Sequence, residues 1–280
     1  MSKESVRHAF DEAYERHSNG TVGTPLQEEY RLKWPEPVVV SAETFWGEPI
    51  DLTLPELVSC EIHRYGLIEP ALTALFIDRV SSDFVVFDVG AHLGYYSMLA
   101  THLGAEVHAF EPSKETLPAL RKNVGKDVHL VPKGAWRSEG TLELKDFGSE
   151  HSAVNTFVSS RDEDLEEPDA SYPVSVTSID RHVAETGAVP DLIKIDAEGA
   201  ELEVLRGATT TLREARPIVT IEVGDTETDK HSRAAIEYAE ELGYSPFDLT
   251  IGGIEKHQLR DAYNYGNMLL LPSKESMEGQ

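Results

Sequence analysis

Apolar and polar residues follow two patterns along the chain, and each pattern predicts one kind of secondary structure. Short apolar runs of the sort that form buried strands occur at 84–88, 106–110, 128–131, 192–195, 218–223, 244–249 and 267–271. Between most of these runs, apolar residues recur every three or four positions, which is typical of helices packed on one face. Because strands that alternate with helices pair in parallel through right-handed crossovers, the pattern predicts an α/β fold with a doubly wound, mostly parallel, seven-stranded sheet.

The residues before the sheet predict a helical extension. Apolar residues recur at helical spacing from Ser2 to His17. The segment 18–37 is rich in glycine and proline and is interpreted as a connection. We therefore divide the chain into an N-terminal helix and linker, 1–37, and one larger domain, 38–280. The N-terminal helix leaves room for a homodimer.

Length and composition narrow the class of protein. With 280 residues, of which 40% are apolar, the chain can bury one full-sized core. The longest apolar run, 84–87, ends at Asp88 and is far shorter than the roughly 20 residues of a membrane span. The N-terminus is polar and acidic, unlike a secretory signal, so we expect a cytoplasmic protein. Cys60 is the only cysteine, which excludes an intrachain disulfide and a thiolate metal cluster.

The charge balance is strongly acidic, with 50 acidic residues against 25 basic ones and a net charge of −25. Such a surface repels the phosphates of nucleic acids and of anionic membranes, so we expect no nucleic-acid partner. Concentrated salt relieves repulsion within the protein itself, because the Debye length falls to about 3 Å at 1 M salt. The composition therefore suggests a halophilic protein, a hypothesis that salt-independent folding would contradict.

Candidate chemistry begins at the first core strand, which runs into Asp88 and then into a glycine-rich turn. The turn spaces Gly90 and Gly94 as G-x-x-x-G, so the G-x-G-x-x-G fingerprint of dinucleotide enzymes is incomplete. Ligands of open α/β sheets bind beyond the carboxyl ends of the strands, where glycines let the backbone approach. We expect a ligand over these two glycines, with Asp88 holding an ammonium group directly or through water.

Further acids follow the neighbouring strands. Glu111 comes after the second core strand, 21 residues beyond Gly90, where an acid can bind ribose hydroxyls. Asp196 and Glu198 come after a later strand, and Glu222 ends the next one. Carboxylates gathered in this way can serve as proton acceptors, hydroxyl orienters or metal ligands, and their spacing leaves the three roles open.

Three strings of residues make the chain similar to a known family. They are FDVGAHLGYY at 87–96, AFEP at 109–112 and LIKIDAEGAE at 192–201, the last followed by VLRGA at 204–208. With these strings the chain resembles the FkbM methyltransferases over roughly residues 69–222. The resemblance implies a Rossmann-like class I methyltransferase fold, S-adenosylmethionine as the methyl donor, and an acceptor oxygen on a sugar, polyketide or other natural product.

The resemblance also guides the choice of cofactor residues. Asp196 would lie where cofactor and substrate meet, and His92 stands where the family often has asparagine. Ala135 belongs to the turn after the third core strand, which we place beside the adenine. The residues that we assign to the cofactor are Glu69, Asp88, Gly90, His92, Gly94, Glu111, Pro112, Ala135 and Asp196.

The proton acceptor depends on the substrate, because a hydroxyl acceptor needs a base whereas a carboxylate acceptor is already ionised. His151 lies in an irregular region that we expect to face the acceptor, and its ordinary pKa of about 6.5 suits a base near neutrality. Asp196 is the rival base. A divalent metal bound by Asp196, Glu198 and Glu222 is a third possibility, and we assign no metal.

Three functions fit these residues. The first is an S-adenosylmethionine-dependent O-methyltransferase acting on a small molecule, a sugar or a lipid-linked glycan. The second is an NAD-dependent oxidoreductase on the same type of fold, and the third is an inactive cofactor-binding partner subunit. Cofactor binding separates the first two functions, and turnover separates the first from the third.

Overall fold

A computed structural model describes residues 1–157, 167–225 and 230–273. Its helices are α1 Lys3–Ser18, α2 Thr24–Lys33, α3 Leu57–Tyr65, α4 Pro70–Arg79, α5 Tyr95–His102, α6 Leu117–Val124, α7 Ile179–Thr186, α8 Glu201–Gly207, α9 Thr209–Glu214 and α10 His231–Glu241. Its strands are β1 Val38–Glu43, β2 Pro49–Leu54, β3 Val85–Val89, β4 Glu106–Phe110, β5 Val128–Val131, β6 Gly134–Ala135, β7 Gly140–Asp146, β8 Ala170–Thr177, β9 Leu192–Ile195, β10 Ile218–Val223, β11 Tyr244–Thr250, β12 Gly253–Lys256 and β13 Gly266–Pro272.

The large sheet has the strand order β12-β11-β13-β10-β9-β3-β4-β5. The strands from β10 to β5 pair in parallel, whereas β13 runs antiparallel to both β10 and β11. The α/β fold with a mostly parallel sheet that the pattern predicts is therefore confirmed. From β3 the chain builds outward through β4 and β5, and it then returns to build through β9 and β10 on the other side. The carboxyl ends of β3 and β9 consequently border the crevice at which such sheets bind ligands.

The predicted strand number is wrong by one, since the sheet has eight strands within the described residues. The additional strand, β12, forms a hairpin with β11. All four residues of β12 are exposed, so this strand lacks the apolar run that marks the buried strands. Strands such as β9, in contrast, are buried along their whole length, because helices cover both faces of the sheet.

The N-terminal extension packs into the same core as the sheet. On α1, Val6, Phe10 and Ala13 are buried, and on α2 Leu26 and Tyr30 are buried. The prediction of a connection over 18–37 is wrong for Thr24–Lys33, which forms α2. Gly23 stands just before that helix and Pro25 occupies its first turn, where proline needs no backbone hydrogen bond.

Two smaller sheets complete the fold. β1 and β2 form an antiparallel hairpin beside α3, and β6, β8 and β7 form a three-stranded sheet. Between β7 and β8 the chain passes through a short 3₁₀ helix, Ser152–Val154. Within the described ranges, no helix combines the length and apolar character that crossing a bilayer requires.

Candidate functional site

A cavity of about 340 Å³ opens beyond the carboxyl ends of β3, β4 and β9. We refer to the mostly apolar group among its lining residues, Pro112, Gly134, Ala135, Leu144 and Phe157, as the apolar end. Several acidic residues also line the cavity, as do residues of α3 and of the segment before α4. The cavity therefore lies at the edge of the sheet where the sequence predicts a ligand.

The glycine-rich turn after β3 is held tightly against its neighbours. The amides of Gly90 and Ala91 both donate to the carbonyl of Phe110 at 3.0 Å. Gly90 has φ of +75°, and a Cβ there would overlap the carbonyl oxygen of Asp196. Only glycine permits this conformation together with this close approach, so the turn brings the ends of β3 and β9 into direct backbone contact.

Gly94 does not line the cavity. It precedes α5 with φ of +92°, and a Cβ there would lie 2.6 Å from Val124 and 2.7 Å from Leu120 of α6. The glycine therefore allows the start of α5 to pack closely on α6. Of the two glycines over which the sequence predicts a ligand, Gly90 faces the cavity and Gly94 supports the turn from behind.

Glu111 is a buried carboxylate at the end of β4, with 7% of its surface exposed. One of its oxygens accepts a hydrogen bond from the amide of His92 at 3.0 Å, and the other accepts from the amide of Ser113 at 2.8 Å. Burial raises the pKa of Glu111 to about 7, although these two amides oppose the shift. The remaining lone pairs face a cavity in which the carboxylate lacks a positive partner of its own.

Lys194 is the buried cation beneath the cavity. Its Nζ lies 3.0 Å from Oδ2 of Asp196 and 3.6 Å from Oδ1 of Asp88. Burial opposes the charge of this lysine, but the carboxylates of Asp196, Asp88 and Glu69 prevail and raise its pKa above the ordinary value. Lys194 therefore remains charged and is shared between Asp88 and Asp196.

Asp88 itself is fully buried and does not line the cavity. Its Oδ2 accepts a hydrogen bond of 2.6 Å from the hydroxyl of Ser97. Asp88 acts on the cavity through Lys194, which also contacts Asp196, and through its charge, which helps to raise the pKa of Glu111.

Glu69 enters the cavity from the residue just before α4. Its backbone is left-handed, with φ of 42°, and its carboxylate accepts a hydrogen bond from the side-chain amide of Asn267. Burial, and after it the negative charge of Asp196, raises the pKa of Glu69. Glu69 and Asp196 thus bring carboxylates from distant parts of the chain into one cavity, and the charge of Lys194 offsets part of their negative charge.

The two predicted histidines have different surroundings. His92 lines the cavity, has φ of 48°, and its Nε2 lies 2.9 Å from the hydroxyl of Ser152. Burial lowers the pKa of His92. His151 is exposed, its Nε2 lies 3.3 Å from a guanidinium nitrogen of Arg31, and it does not line the cavity. The structure therefore keeps His151 apart from Asp196, and its role as a base stays a prediction.

A group of three carboxylates, Asp196, Glu198 and Glu222, offers oxygens that lie within 4.8 Å of one another. Asp196 and Glu198 line the cavity, and Glu222 is buried at the end of β10. The hydroxyl of Thr156 donates to the backbone carbonyl of Glu198 at 2.6 Å, which ties this group to the loop after β7. Acidic groups at strand ends occur with and without a metal ion, so their proximity alone assigns none.

Comparison with known proteins decides the family. Residues 88–246, more than half of the chain, match the Methyltransferase FkbM domain. The chain belongs to the FkbM methyltransferase family. The family predicted from the three sequence strings is thereby confirmed, and these strings surround the cavity in the structure.

Two relatives show how far the similarity reaches. The hexuronic acid methyltransferase AglP of Haloferax volcanii is 29% identical over 154 residues, which cover 54% of this chain and 61% of that protein. The 31-O-demethyl-FK506 methyltransferase FkbM of Streptomyces tacrolimicus is 31% identical over 44% of this chain and 58% of that protein. The matched region thus spans less than two thirds of either relative.

Among solved structures, the methyltransferase FkbM from Methylobacillus flagellatus is similar to this chain. The two are 19% identical and superpose with a TM-score of 0.45, over 69% of this chain and 44% of the other.

One wall of the cavity of this FkbM protein was not predicted from the sequence. It consists of side chains from α3 and from the segment after it, namely Leu57, Val58, Glu61, Ile62 and Ile68. Helical spacing of apolar residues indicates a helix that packs against the core, and residues that would contact a ligand show the same spacing. The sequence pattern therefore does not distinguish the two. Glu61 is the ionisable residue of this group, and its carboxylate accepts a hydrogen bond from the amide of Gly23 in the N-terminal extension.

Proposed function

We propose that this FkbM-family chain transfers a methyl group from S-adenosylmethionine to an oxygen atom of a sugar or a related natural product. The observation that carries the proposal is the charge of the cavity. Glu69, Glu111, Asp196 and Glu198 line it, and within the described residues its lining contains one lysine and no arginine.

Burial raises the pKa values of Glu69 and Glu111, so positive charge brought by a ligand would favour their ionised forms. Lys194 opposes these shifts only in part, because this lysine is shared with Asp88 and Asp196. S-adenosylmethionine carries an ammonium, a sulfonium and one carboxylate, so it would add one net positive charge to the cavity. The pyrophosphate of NAD would add negative charge to the same cavity, which favours a methyltransferase over an oxidoreductase.

The residues of the cavity suit the parts of S-adenosylmethionine. Glu111 would accept hydrogen bonds from the ribose hydroxyls, and Asp196 with Glu69 would attract the ammonium group. Pro112 and Ala135 would border the adenine at the apolar end. The tight turn at Gly90 would let backbone, rather than side chains, lie along the ligand.

The cofactor would supply an electrophilic methyl group on sulfur, so the protein contributes alignment of the acceptor oxygen and, for a hydroxyl, removal of its proton. Asp196 is the candidate proton acceptor that lies in the cavity, and Lys194 holds its carboxylate in place at 3.0 Å. A carboxylate acceptor would need no base. The wall formed by α3 would leave the acceptor a mostly apolar surface with Glu61 as its polar group.

A sugar acceptor is supported by the similarity to AglP, whose name describes a methyltransferase of hexuronic acid. The acceptor of this chain would then be a free or lipid-linked sugar. A nucleic-acid acceptor is disfavoured by the net charge of −25.

The experiment that tests the donor is calorimetric titration of the purified chain, in high salt, with S-adenosylhomocysteine and separately with NAD. We expect binding of S-adenosylhomocysteine and none of NAD. A Glu111→Ala variant should lose most of this affinity, whereas Glu143→Ala, on the exposed part of β7, should keep it. Binding of NAD alone would overturn the methyltransferase proposal.

The acceptor requires a second assay, in which transfer of a labelled methyl group is measured with a hexuronic acid glycoside and with the matching neutral hexose glycoside. Incorporation into a sugar is expected. A base-labile methyl ester would identify a carboxylate acceptor, and a stable ether would identify a hydroxyl acceptor. Binding of S-adenosylhomocysteine without transfer to either sugar would contradict the sugar acceptor and leave the donor assignment in place.

A further inference from the structure

A second cluster of ligating side chains lies on β4 and β5, away from the cavity. Glu106 and His108 are two residues apart on β4, so their side chains share one face of the sheet. His129 stands beside His108 in the register of β5, the outermost strand on this side. The fold therefore gathers one carboxylate and two imidazoles on one face, at the edge of the sheet.

The ligand atoms of these three side chains lie close together. Oε1 of Glu106 lies 3.1 Å from Nε2 of His108 and 3.8 Å from Nε2 of His129, and the three atoms lie within 4.8 Å of one another. An ion with tetrahedral bonds of about 2.0–2.1 Å separates its ligand atoms by about 3.3 Å. The rings of His108 and His129 stack with centroids 4.5 Å apart and 18° between their planes, so His129 has to turn out of this stack to aim Nε2 at the ion that His108 binds. Its side chain is 62% exposed and that of Glu106 is 50% exposed, which leaves both of them room to move.

A fourth side chain, His182 of α7, fixes the central ligand. Its Nε2 lies 2.9 Å from Nδ1 of His108, and both rings are buried against Phe87. With a metal ion on Nε2 of His108, Nδ1 keeps its proton and donates to His182. Histidine ligands of metal ions are oriented in this manner by an acceptor on their other ring nitrogen.

We propose that Glu106, His108 and His129 bind one divalent transition-metal ion of the zinc, copper or nickel class. Two imidazoles and one carboxylate form the ligand set that such ions prefer, whereas magnesium and calcium take mainly oxygen ligands. The exposed side of the cluster leaves the fourth position to water. No residue of this cluster lines the cavity, so the ion takes no part in methyl transfer.

The ion would join the edge strand β5 to its neighbour β4. β5 leads directly into Gly134 and Ala135, which line the apolar end of the cavity. Metal binding therefore stabilises the folded chain, and its loss is expected to lower the melting temperature without removing the methyl donor site.

The test uses the full chain without a histidine tag, stripped with a chelator and dialysed at pH 7.5. Titration calorimetry with zinc chloride is expected to show one ion per chain and a rise in melting temperature. Electron paramagnetic resonance of the copper-loaded chain is expected to show nitrogen couplings from two imidazoles. His129→Ala should weaken zinc binding by more than about tenfold and remove one of the two nitrogen couplings.

Three further variants test the orienting role of His182 and serve as controls for the metal site. His182→Leu leaves all three ligands present and should weaken binding by roughly tenfold through loss of ring orientation. His8→Ala removes an exposed imidazole that is paired with Glu12 at 3.5 Å and should change nothing. Glu198→Gln alters the carboxylate group at the cavity and should also leave zinc affinity unchanged.

The proposal is overturned if the stripped chain binds no zinc or copper. It is also overturned if His129→Ala binds as the unmodified chain does, or if Glu198→Gln rather than His129→Ala abolishes binding.

Discussion

The charge of Glu111 changes close to neutral pH, because burial raises the pKa of this carboxyl to about 7. Ribose hydroxyls donate to the ionised carboxylate, so binding of S-adenosylhomocysteine should weaken as the pH falls through 7. Between pH 8 and pH 6 the ionised fraction drops from about nine tenths to about one tenth, and we expect roughly a ninefold loss of affinity by calorimetry.

The Glu111→Gln variant is the control for this prediction. It keeps an acceptor oxygen and removes the titration, so its weaker affinity should be nearly flat over the same pH range. An equally steep pH dependence in Glu111→Gln would show that another group is responsible. The stability of the folded chain depends on pH in the opposite direction. A carboxyl whose pKa is raised from 4.5 contributes stability below pH 4.5, and this contribution is lost as the pH rises through 7.

Lys194 offers a second prediction, because it neutralises carboxylates that the fold has buried. Lys194→Met leaves Asp88 charged, fully buried and without its cation, which should lower the free energy of unfolding by about 3–5 kcal/mol. Urea denaturation followed by tryptophan fluorescence measures this loss.

The double variant Lys194→Met with Asp88→Asn separates charge from packing. It removes the buried charge together with its partner and should recover a large part of the stability. If the double variant were no more stable than Lys194→Met alone, the lysine would not be compensating the charge of Asp88.

For single residues, the sequence predicted which acids lie near the cavity better than it predicted the role of each one. Glu111 and Asp196 line the cavity, because acids at the carboxyl ends of parallel strands meet at one edge of the sheet, and Glu69 reaches the same cavity from the residue before α4. Asp88 lies beneath the cavity, since Ser97 and Lys194 take its oxygens. No one-dimensional pattern distinguishes a carboxylate that faces a ligand from one that faces a buried lysine on a neighbouring strand.

Among the elements, the helix α1 makes the clearest prediction. Phe10 is 1% exposed and packs edge-on against Phe45, so α1 belongs to the core although it precedes the sheet. Phe10→Ala should lower the free energy of unfolding by about 3–5 kcal/mol, as deletion of a large buried ring does.

Leu32 on α2 provides the matched control within the extension. It is 90% exposed, and Leu32→Ala should change the free energy of unfolding by less than about 0.5 kcal/mol. Chemical denaturation of both variants gives the comparison. A change of less than about 1 kcal/mol for Phe10→Ala would mean that the extension folds independently of the remaining chain.

The sequence was most informative for elements that are long or fully buried. The strand β9 has the predicted bounds, 192–195, because Leu192, Ile193 and Ile195 form a short apolar group that Lys194 alone interrupts. The helices α2 and α3 were missed. Glycine and proline around α2 mark the start of a helix as well as a loop, and α3 spans only Leu57–Tyr65 and carries its polar residues close to its apolar ones.

Considered as a whole, the molecule carries a net charge of −25, and this charge should make its stability depend on salt. Raising potassium chloride from 0.1 to 1 M shortens the Debye length from about 10 Å to about 3 Å and relieves the repulsion between surface carboxylates. We expect the melting temperature to rise by several degrees over this range and to change little above it.

The shape of the salt dependence distinguishes screening from other effects of salt. Screening saturates near 1 M, whereas exclusion of salt from the protein surface continues to stabilise as the concentration rises. Scanning calorimetry from 0.1 to 3 M potassium chloride would record either form. A melting temperature that is independent of salt would remove the halophilic hypothesis.

The cavity is built from two parts of the chain, one inside the matched domain and one in front of it. The shared FkbM domain starts at residue 88 and contains Gly90, Glu111 and Asp196, whereas the wall formed by α3 precedes it. If the first part binds the donor and the second part contacts the acceptor, as we propose, the two can be altered separately. Exchanging the segment in front of residue 88 for that of another family member would then be expected to change the acceptor and to leave donor binding in place.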